Sequence, residues 1–116
     1  MERGLEMRYN TNQVADAIQK REAFTTNGAV YGVIISGKLA VYSYAEPIAL
    51  FDFERSRVHL NERRYSNTTG RHQSQARRAA LSLEADGFDV DKWDDRQFEE
   101  VTGLSTRNRN PFYSFY

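Results

Sequence analysis

Long hydrogen-bond donors cluster in residues 63–83, around the predicted start of a helix. Four polar side chains stand at positions i, i+3, i+4 and i+7 and therefore share one helix face: Arg71, Ser74, Gln75 and Arg78. A helix start carries unpaired N–H groups and partial positive charge, which attract phosphate or carboxylate groups. The pattern predicts an anion-binding surface whose arginines contact phosphates or base edges of nucleic acid. The candidate anion-binding residues are Arg63, Arg64, Thr69, Arg71, His72, Gln75 and Arg78.

His59 and His72 are the only histidines and the first candidates for acid–base chemistry. Several hydroxyl side chains lie near His72 in the sequence, but a nucleophile needs both a base and an orienting acid. The nearest acidic residue is Glu62, and the sequence places it in no defined geometry. We therefore predict no catalytic residue and favour a non-catalytic binding module. A small enzyme that acts on a phosphate-containing substrate is the alternative.

Metal and cofactor sites lack their usual sequence patterns. The chain contains no cysteine, and its two histidines do not form an H-E-x-x-H arrangement, so no metal site is predicted. Gly28, Gly32 and Gly37 lie near predicted strands, but their spacing matches neither a dinucleotide-binding fingerprint nor a phosphate-binding loop. We assign these glycines to turns or bulges and expect no cofactor.

Charge is unevenly distributed along a chain whose formal net charge is zero. Residues 55–78 contain seven arginines and one acidic residue, a net charge of +6. Residues 84–100 contain eight acidic and two basic residues, a net charge of −6. Either these two segments pair with each other, or the basic segment binds a partner, which would be nucleic acid or an acidic host protein. Pairing between exposed groups would contribute only about 0–1 kcal/mol per ion pair.

A sheet is predicted to carry the basic helix. Four segments rich in β-branched and aromatic residues are typical of strands: residues 29–35, 38–44, 48–53 and 58–61. The connections between them are short, which favours antiparallel neighbours. Glu46 and Pro47 are expected to interrupt the chain between the second and third strands, because proline donates no hydrogen bond. The predicted fold class is α+β, a four-stranded antiparallel β-meander covered by one main helix, with shorter helices near both termini.

The main helix is predicted over residues 69–86, with the hydroxyl of Thr68 or Thr69 as its N-terminal cap. Its apolar stripe recurs at helical spacing and comprises Ala76, Ala79, Ala80 and Leu83. We expect this stripe to pack against strand residues such as Val33, Val41 and Leu50. Gly87 is expected to end the helix.

Two shorter helices are predicted on either side of the sheet. Asn10 and Gln13 form a capping-box pattern before a helix over residues 11–24. Residues 88–93 are predicted to form an edge segment or an extended arm. Asp94 or Asp95 then caps a last helix, which has Phe98 and Val101 on its apolar side and ends at Gly103.

The whole chain of 116 residues fits a single domain. Residues 1–9 and 104–116 are expected to be loose or partner-docking tails. The last five residues include four aromatics, which either fold back onto the sheet or dock on a partner or a second copy in a homodimer: Phe112, Tyr113, Phe115 and Tyr116. The lack of cysteine fits a reducing compartment, and neither a signal peptide nor a membrane span is predicted. We therefore expect a cytoplasmic protein that does not enter the membrane.

Three short motifs resemble a small family of phage-encoded proteins of unknown function. Residues 42–44 read Tyr-Ser-Tyr, residues 47–49 read Pro-Ile-Ala, and residues 65–73 read Tyr-Ser-Asn-Thr-Thr-Gly-Arg-His-Gln. The family pattern has Gly-Thr where this chain has Ala45 and Glu46, and Ser where it has Gly70. The resemblance covers residues 38–78. It implies an accessory protein of a virus or mobile element and implies no activity.

Overall fold

Seven strands form one sheet in the described part of the chain. The structure is a computed structural model, and it describes residues 7–26 and 29–104. The strands lie side by side in chain order: β1 (Met7–Tyr9), β2 (Phe24–Thr26), β3 (Val30–Ile35), β4 (Lys38–Ser43), β5 (Glu46–Asp52), β6 (Arg57–Asn61) and β7 (Asp89–Trp93). The helices are α1 (Val14–Gln19), α2 (Asn67–Ala85) and α3 (Asp95–Thr102). The fold is therefore α+β, as predicted.

The predicted meander forms the centre of this sheet. From β3 to β6, each strand pairs antiparallel with the next one along the chain, as the short connections require. The prediction omitted β2, treated residues 1–9, which include β1, as a loose or partner-docking tail, and left the segment that contains β7 as an edge segment or an extended arm. β2 pairs antiparallel with β3, while β1 pairs parallel with β2 at one edge and β7 pairs parallel with β6 at the other. The segment at residues 88–93 is thus an edge strand, one of the two forms expected for it.

The predicted first helix is much shorter than residues 11–24. A 3₁₀ turn at Thr11–Gln13 leads into α1, and the Asn10 N–H donates to Gln13 Oε1 at 3.0 Å, as the capping box predicted. The helix ends early because Arg21 adopts a left-handed backbone conformation with φ 62°. The following Phe-Thr-Thr segment favours an extended conformation and forms β2.

Pro47 lies within β5 and does not interrupt it. The register between β4 and β5 shifts between Val41 and Tyr42, and Pro47 pairs beyond that shift. A proline is accommodated at such a bulge because the ladder is already irregular there. The prediction that β5 starts after Pro47 was wrong by two residues.

The two faces of the sheet have separate cores. One core contains Val41 and Phe51 with the predicted α2 stripe of Ala76, Ala79, Ala80 and Leu83. The opposite core contains Val33 and Leu50 with Phe98 of α3. The expectation that Val33 and Leu50 contact α2 was therefore wrong, whereas Val41 lies in the α2 core as predicted. Successive side chains of a strand point to opposite faces of the sheet, so Val33 and Leu50 lie on the face that α3 covers.

The third helix largely matches its prediction. The Asp94 carboxylate accepts a hydrogen bond from the Gln97 N–H at 2.9 Å, and Gly103 ends the helix with φ 77°. Phe98 is buried, but Val101 is 47% exposed and does not belong to the apolar side. The four C-terminal aromatics lie outside the described residues, so the structure does not bear on the prediction for this tail.

Gly32 lies in a tightly packed part of the core. A Cβ at this position would meet the Phe24 ring and lie 3.0 Å from Leu39 Cδ1. Gly32→Ala is expected to lower the free energy of unfolding by about 1–3 kcal/mol through overpacking. Gly70 in α2 has nothing within 4 Å of its Cβ position. Gly70→Ala should therefore raise the same free energy by about 0.5–1 kcal/mol. Urea denaturation measures both, and equal effects of the two substitutions would contradict the packing described.

Candidate functional site

Helix α2 begins two residues earlier than predicted. Ser66, rather than Thr68 or Thr69, is the N-terminal cap, and its Oγ accepts a hydrogen bond from the Thr69 N–H at 3.2 Å. The extended backbone of Ser66 is typical of this position. Thr69 is consequently inside the first turn and faces the sheet, where it is 3% exposed.

A chain of hydroxyl groups connects this helix start to the end of β4. Ser66 Oγ donates to Thr69 Oγ1 at 3.4 Å, and Thr69 Oγ1 lies 3.1 Å from Ser43 Oγ. Ser43 Oγ in turn lies 2.7 Å from His72 Nδ1. The Thr69 oxygen has two lone pairs and can accept from both Ser66 and Ser43, so the direction of the last two bonds follows the tautomer of His72. Ser43 donates to Nδ1 when the ring proton is on Nε2 and accepts from Nδ1 when the proton is there.

The Ser43–His72 pair has the spacing of a nucleophile and its base but lacks the other requirements. Ser43 is 0% exposed, so its hydroxyl is not accessible to a substrate. Within residues 7–26 and 29–104, no carboxylate hydrogen-bonds to His72. A triad needs such a group to orient the base. The pair therefore acts as a connection between β4 and α2 that holds the His72 ring in place.

Both histidines make the stability of the fold depend on pH. Burial lowers the pKa of His72 below its ordinary value of 6.5, and burial also lowers the pKa of His59 despite the nearby charge of Asp91. Below pH 6.5 the unfolded chain therefore binds protons more readily than the folded chain does. The histidine contribution to stability is complete above that pH and is lost as pH falls through the folded-state pKa values.

Thermal melts at about pH 7.5 and about pH 5.5 should show this loss as a lower melting temperature at the lower pH. His72→Gln should flatten the dependence without removing it, because His59 still titrates. Equal melting temperatures of the unsubstituted protein at the two pH values would contradict the buried, neutral state of these rings.

Two cavities flank the first turns of α2. The first, which we call the His72 cavity, has a volume of about 530 Å³ and is lined by Asn12, Tyr44, Arg71, His72 and Gln75, among others. The second, which we call the arginine cavity, has a volume of about 650 Å³ and a lining that includes four arginines: Arg63, Arg64, Arg71 and Arg77. Arg71 lines both cavities and so lies on the ridge between them.

The loop that carries Arg63 and Arg64 is held by a buried amide. Gln73 Nε2 donates to the carbonyl oxygens of Asn61 and Arg63, at 2.7 Å and 2.9 Å. Asn61 is 1% exposed, and its own amide donates to the Pro47 carbonyl oxygen at 2.9 Å. The chain between β6 and α2 is thus fixed to both elements, which defines where its arginines emerge.

A second cluster supports the same loop from α3. The Tyr65 hydroxyl donates to Asp95 Oδ1 at 3.2 Å, and Arg63 Nη1 lies 3.0 Å from Asp95 Oδ2. The guanidinium carbon of Arg63 also lies 4.9 Å from the centre of the Tyr65 ring. Burial, together with the Asp95 charge, raises the pKa of Tyr65 and keeps its hydroxyl protonated. Arg63 is therefore largely engaged within the protein.

The acidic segment covers only part of the basic segment. Arg57 lies 2.7 Å from Asp91 and 3.6 Å from Asp89 on β7, and Asp95 pairs with Arg63. Arg77 pairs within the basic segment, with Glu62 at 3.4 Å. Arg64 and Arg71 are exposed and form no ion pair with any residue in the described part of the chain.

The remaining predicted site residues have distinct placements. Arg78 is exposed on α2 but lines neither cavity. Gln75 lines the His72 cavity, and its Oε1 accepts a hydrogen bond from the Ala15 N–H at 3.2 Å, which joins α1 to α2. His72 lines the His72 cavity but is only 6% exposed, and Thr69 is buried, at 3% exposed. The structure therefore brings Arg63, Arg64 and Arg71 together and separates Arg78 from them.

Sequence reasoning missed several residues of this region. Arg77 belongs to the +6 segment but was assigned to no face, although it lines the arginine cavity. Tyr44 and Ser43 come from β4 and its turn, so only the tertiary fold brings them to α2. The Tyr-Ser-Tyr motif at residues 42–44 was the one available signal for them.

Within residues 7–26 and 29–104, no group of three or more His, Cys, Asp or Glu side chains comes together in a way that could hold a metal ion. Among the described helices, none combines the length and apolar character that a bilayer span requires.

The fold and the two cavities define a small α+β protein with an arginine-lined surface at the start of its main helix. The chain belongs to DUF8033, a family of unknown function, whose model matches residues 6–93. This match includes the sheet, α1, α2 and both cavities, and it stops before α3. No curated protein and no solved structure matches the chain.

Proposed function

We propose that this protein is a non-catalytic binding module that contacts nucleic acid through the arginine cavity. The observation that carries the proposal is the state of Arg64 and Arg71, which are exposed, line the same cavity and form no ion pair among the described residues. Arginine forks bind phosphate oxygens through two parallel hydrogen bonds, and such contacts dominate nucleic-acid affinity.

The surroundings of these two arginines fit a phosphate backbone. Asn67, the first residue of α2, lines the same cavity, and the N–H groups of a first helical turn have no carbonyl partner within the helix, so a backbone donor accompanies the guanidinium groups. Arg63 and Arg77 line it too, and their partners Asp95 and Glu62 are surface carboxylates, so both arginines can be drawn toward a phosphate. The cavity therefore offers a strip of positive charge on a rigid support.

The biological setting is part of the same proposal. The motifs at residues 42–44, 47–49 and 65–73 resemble phage-encoded proteins, and we infer an accessory protein of a phage or mobile element that acts in the cytoplasm of its host. The alternative partner is an acidic host protein, which the arginines would bind with less dependence on counterion release.

Fluorescence anisotropy with labelled DNA tests the proposal. Non-specific binding is expected with a dissociation constant of about 10⁻⁴–10⁻⁶ M at physiological salt, and tighter binding at low salt. Between roughly 50 and 200 mM salt, log K should fall linearly with log salt concentration, by ~0.9 per phosphate contact on duplex and ~0.7 on a single strand. An acidic polypeptide of similar charge serves as the control ligand. Absence of DNA binding at low salt would refute the proposal, and stronger binding of the polypeptide would favour the protein partner.

A further inference from the structure

We propose that the His72 cavity receives an unpaired base of a single-stranded nucleic acid whose phosphates lie in the arginine cavity. This inference rests on the proposed function and adds the form of the nucleic acid and a residue that stacks on its base. Arg71 lines both cavities, so a base in one and its neighbouring phosphate in the other would meet the same side chain. Base stacking beside a basic groove is how single strands are generally bound.

Tyr44 supplies the stacking surface. Its side chain is 50% exposed and lines the cavity, and its ring centre lies 6.3 Å from that of His72, with the planes inclined at 42°. An exposed aromatic ring at the mouth of a cavity gains contact area when a planar base enters. The volume of about 530 Å³ lies within the usual range of ligand sites.

The backbone conformation of Tyr44 is strained, which lowers the stability of the fold. Tyr44 has φ 58°, a left-handed conformation that aromatic residues seldom adopt. It lies in the two-residue connection between β4 and β5, and its N–H donates to the Ala29 carbonyl oxygen at 2.9 Å. Glycine or asparagine would suit this conformation better. Backbone strain of this kind concentrates at ligand sites.

The polar lining matches the edge of a base. Gln75 Oε1 is occupied by the Ala15 N–H, which leaves the amide N–H₂ of Gln75 as a donor at the cavity wall. His72 also lines the cavity, and its Nε2 forms no hydrogen bond with any described residue. The Gln75 amide matches the carbonyl and ring-nitrogen acceptors of a base, and His72 Nε2 adds a donor or an acceptor according to its tautomer.

Tyr44→Asn removes the ring and keeps a residue that tolerates the backbone conformation. Binding of a short thymidine strand should weaken about tenfold, while binding of a matched duplex should change by less than about twofold. Tyr44→Phe should bind the strand as the unsubstituted protein does. The melting temperature of Tyr44→Asn should equal or exceed that of the unsubstituted protein. Ser36→Asn, at a turn residue with φ 52°, controls for the turn substitution itself.

A second arm uses the unsubstituted protein, so it does not depend on the folding of any variant. Strands in which the bases are replaced by abasic sites should bind about tenfold more weakly than intact strands. Equal binding of intact and abasic strands, or of the strand by Tyr44→Asn and the unsubstituted protein, would overturn the inference. A mononucleotide that binds as tightly as the strand would overturn it too. If any of these results is obtained while the protein still binds duplex DNA, only the inference about the base fails and the proposed function stands. If the protein binds no nucleic acid at all, both the inference and the proposed function are refuted.

Discussion

Replacing Arg64 and Arg71 together by glutamine is expected to weaken nucleic-acid binding at low salt by at least about tenfold. Both side chains line the arginine cavity, and neither forms an ion pair within the described residues, so the fold does not depend on their charges. Loss of two phosphate contacts should also reduce the log–log salt slope by roughly 1.8 on duplex DNA or roughly 1.4 on a single strand. Anisotropy at several salt concentrations measures both quantities.

The matched control is Lys92→Gln with Arg96→Gln, which makes the same change in net charge. Both residues are exposed on the acidic segment, and among the described residues the ion-pair partner of Arg96 is Glu100, at 4.0 Å. This control should bind DNA almost as the unsubstituted protein does. If the two double variants lose affinity equally, binding reflects total charge and does not involve the arginine cavity. Circular dichroism should show that all three proteins are equally folded.

Gln73→Met is expected to lower the free energy of unfolding by about 2 kcal/mol, with a fall in melting temperature of roughly 10 °C. Gln73 is 8% exposed, and its amide donates to the carbonyl oxygens of Asn61 and Arg63. Methionine has a similar shape but no donor, so both carbonyl oxygens would lose their partner. A buried acceptor without a hydrogen-bond partner is destabilising, because the free energy lost when it leaves water is no longer offset.

The same substitution should weaken DNA binding, because the loop that carries Arg63 and Arg64 is no longer fixed. Gln97→Met is the matched control, since Gln97 is exposed on α3 and its side chain forms no hydrogen bond with the described residues. That control should change stability by less than about 0.5 kcal/mol. A Gln73→Met protein as stable as Gln97→Met would contradict the role assigned to the buried amide.

Residue type and helical spacing predicted the centre of the fold well. The four meander strands were predicted from β-branched and aromatic segments, and the α2 stripe follows the 3.6-residue period of a helix buried on one side. The central strands β4 and β5 are buried on both faces and show no alternation of buried and exposed residues. The β2 strand was missed because Phe24 and its neighbours follow directly after a helical pattern, and their pairing with β3 is a tertiary contact. Pro47 was misread because the bulge that accommodates it depends on the register of β4.

The candidate site was predicted from the one-dimensional arrangement of donors and was therefore only partly located. Helical spacing placed Arg71 and Gln75 on the accessible side of α2, but it could not reveal that Arg63 pairs with Asp95. His72 was predicted only as a candidate anion-binding residue, and its hydrogen bond to Ser43 depends on the end of β4. Contacts between elements distant in sequence decide such pairings, and spacing within one helix carries no information about them.

The most direct test of nucleic-acid binding at the arginine cavity is a titration followed by ¹H–¹⁵N NMR. The unsubstituted protein would be titrated with a short thymidine strand at low salt, and the shift of each backbone amide recorded. We predict the largest shifts in residues 62–74 and at Tyr44, with those in residues 62–74 lost in the Arg64→Gln/Arg71→Gln protein. Shifts centred on β7 and α3, or no shifts at saturating strand, would contradict the account.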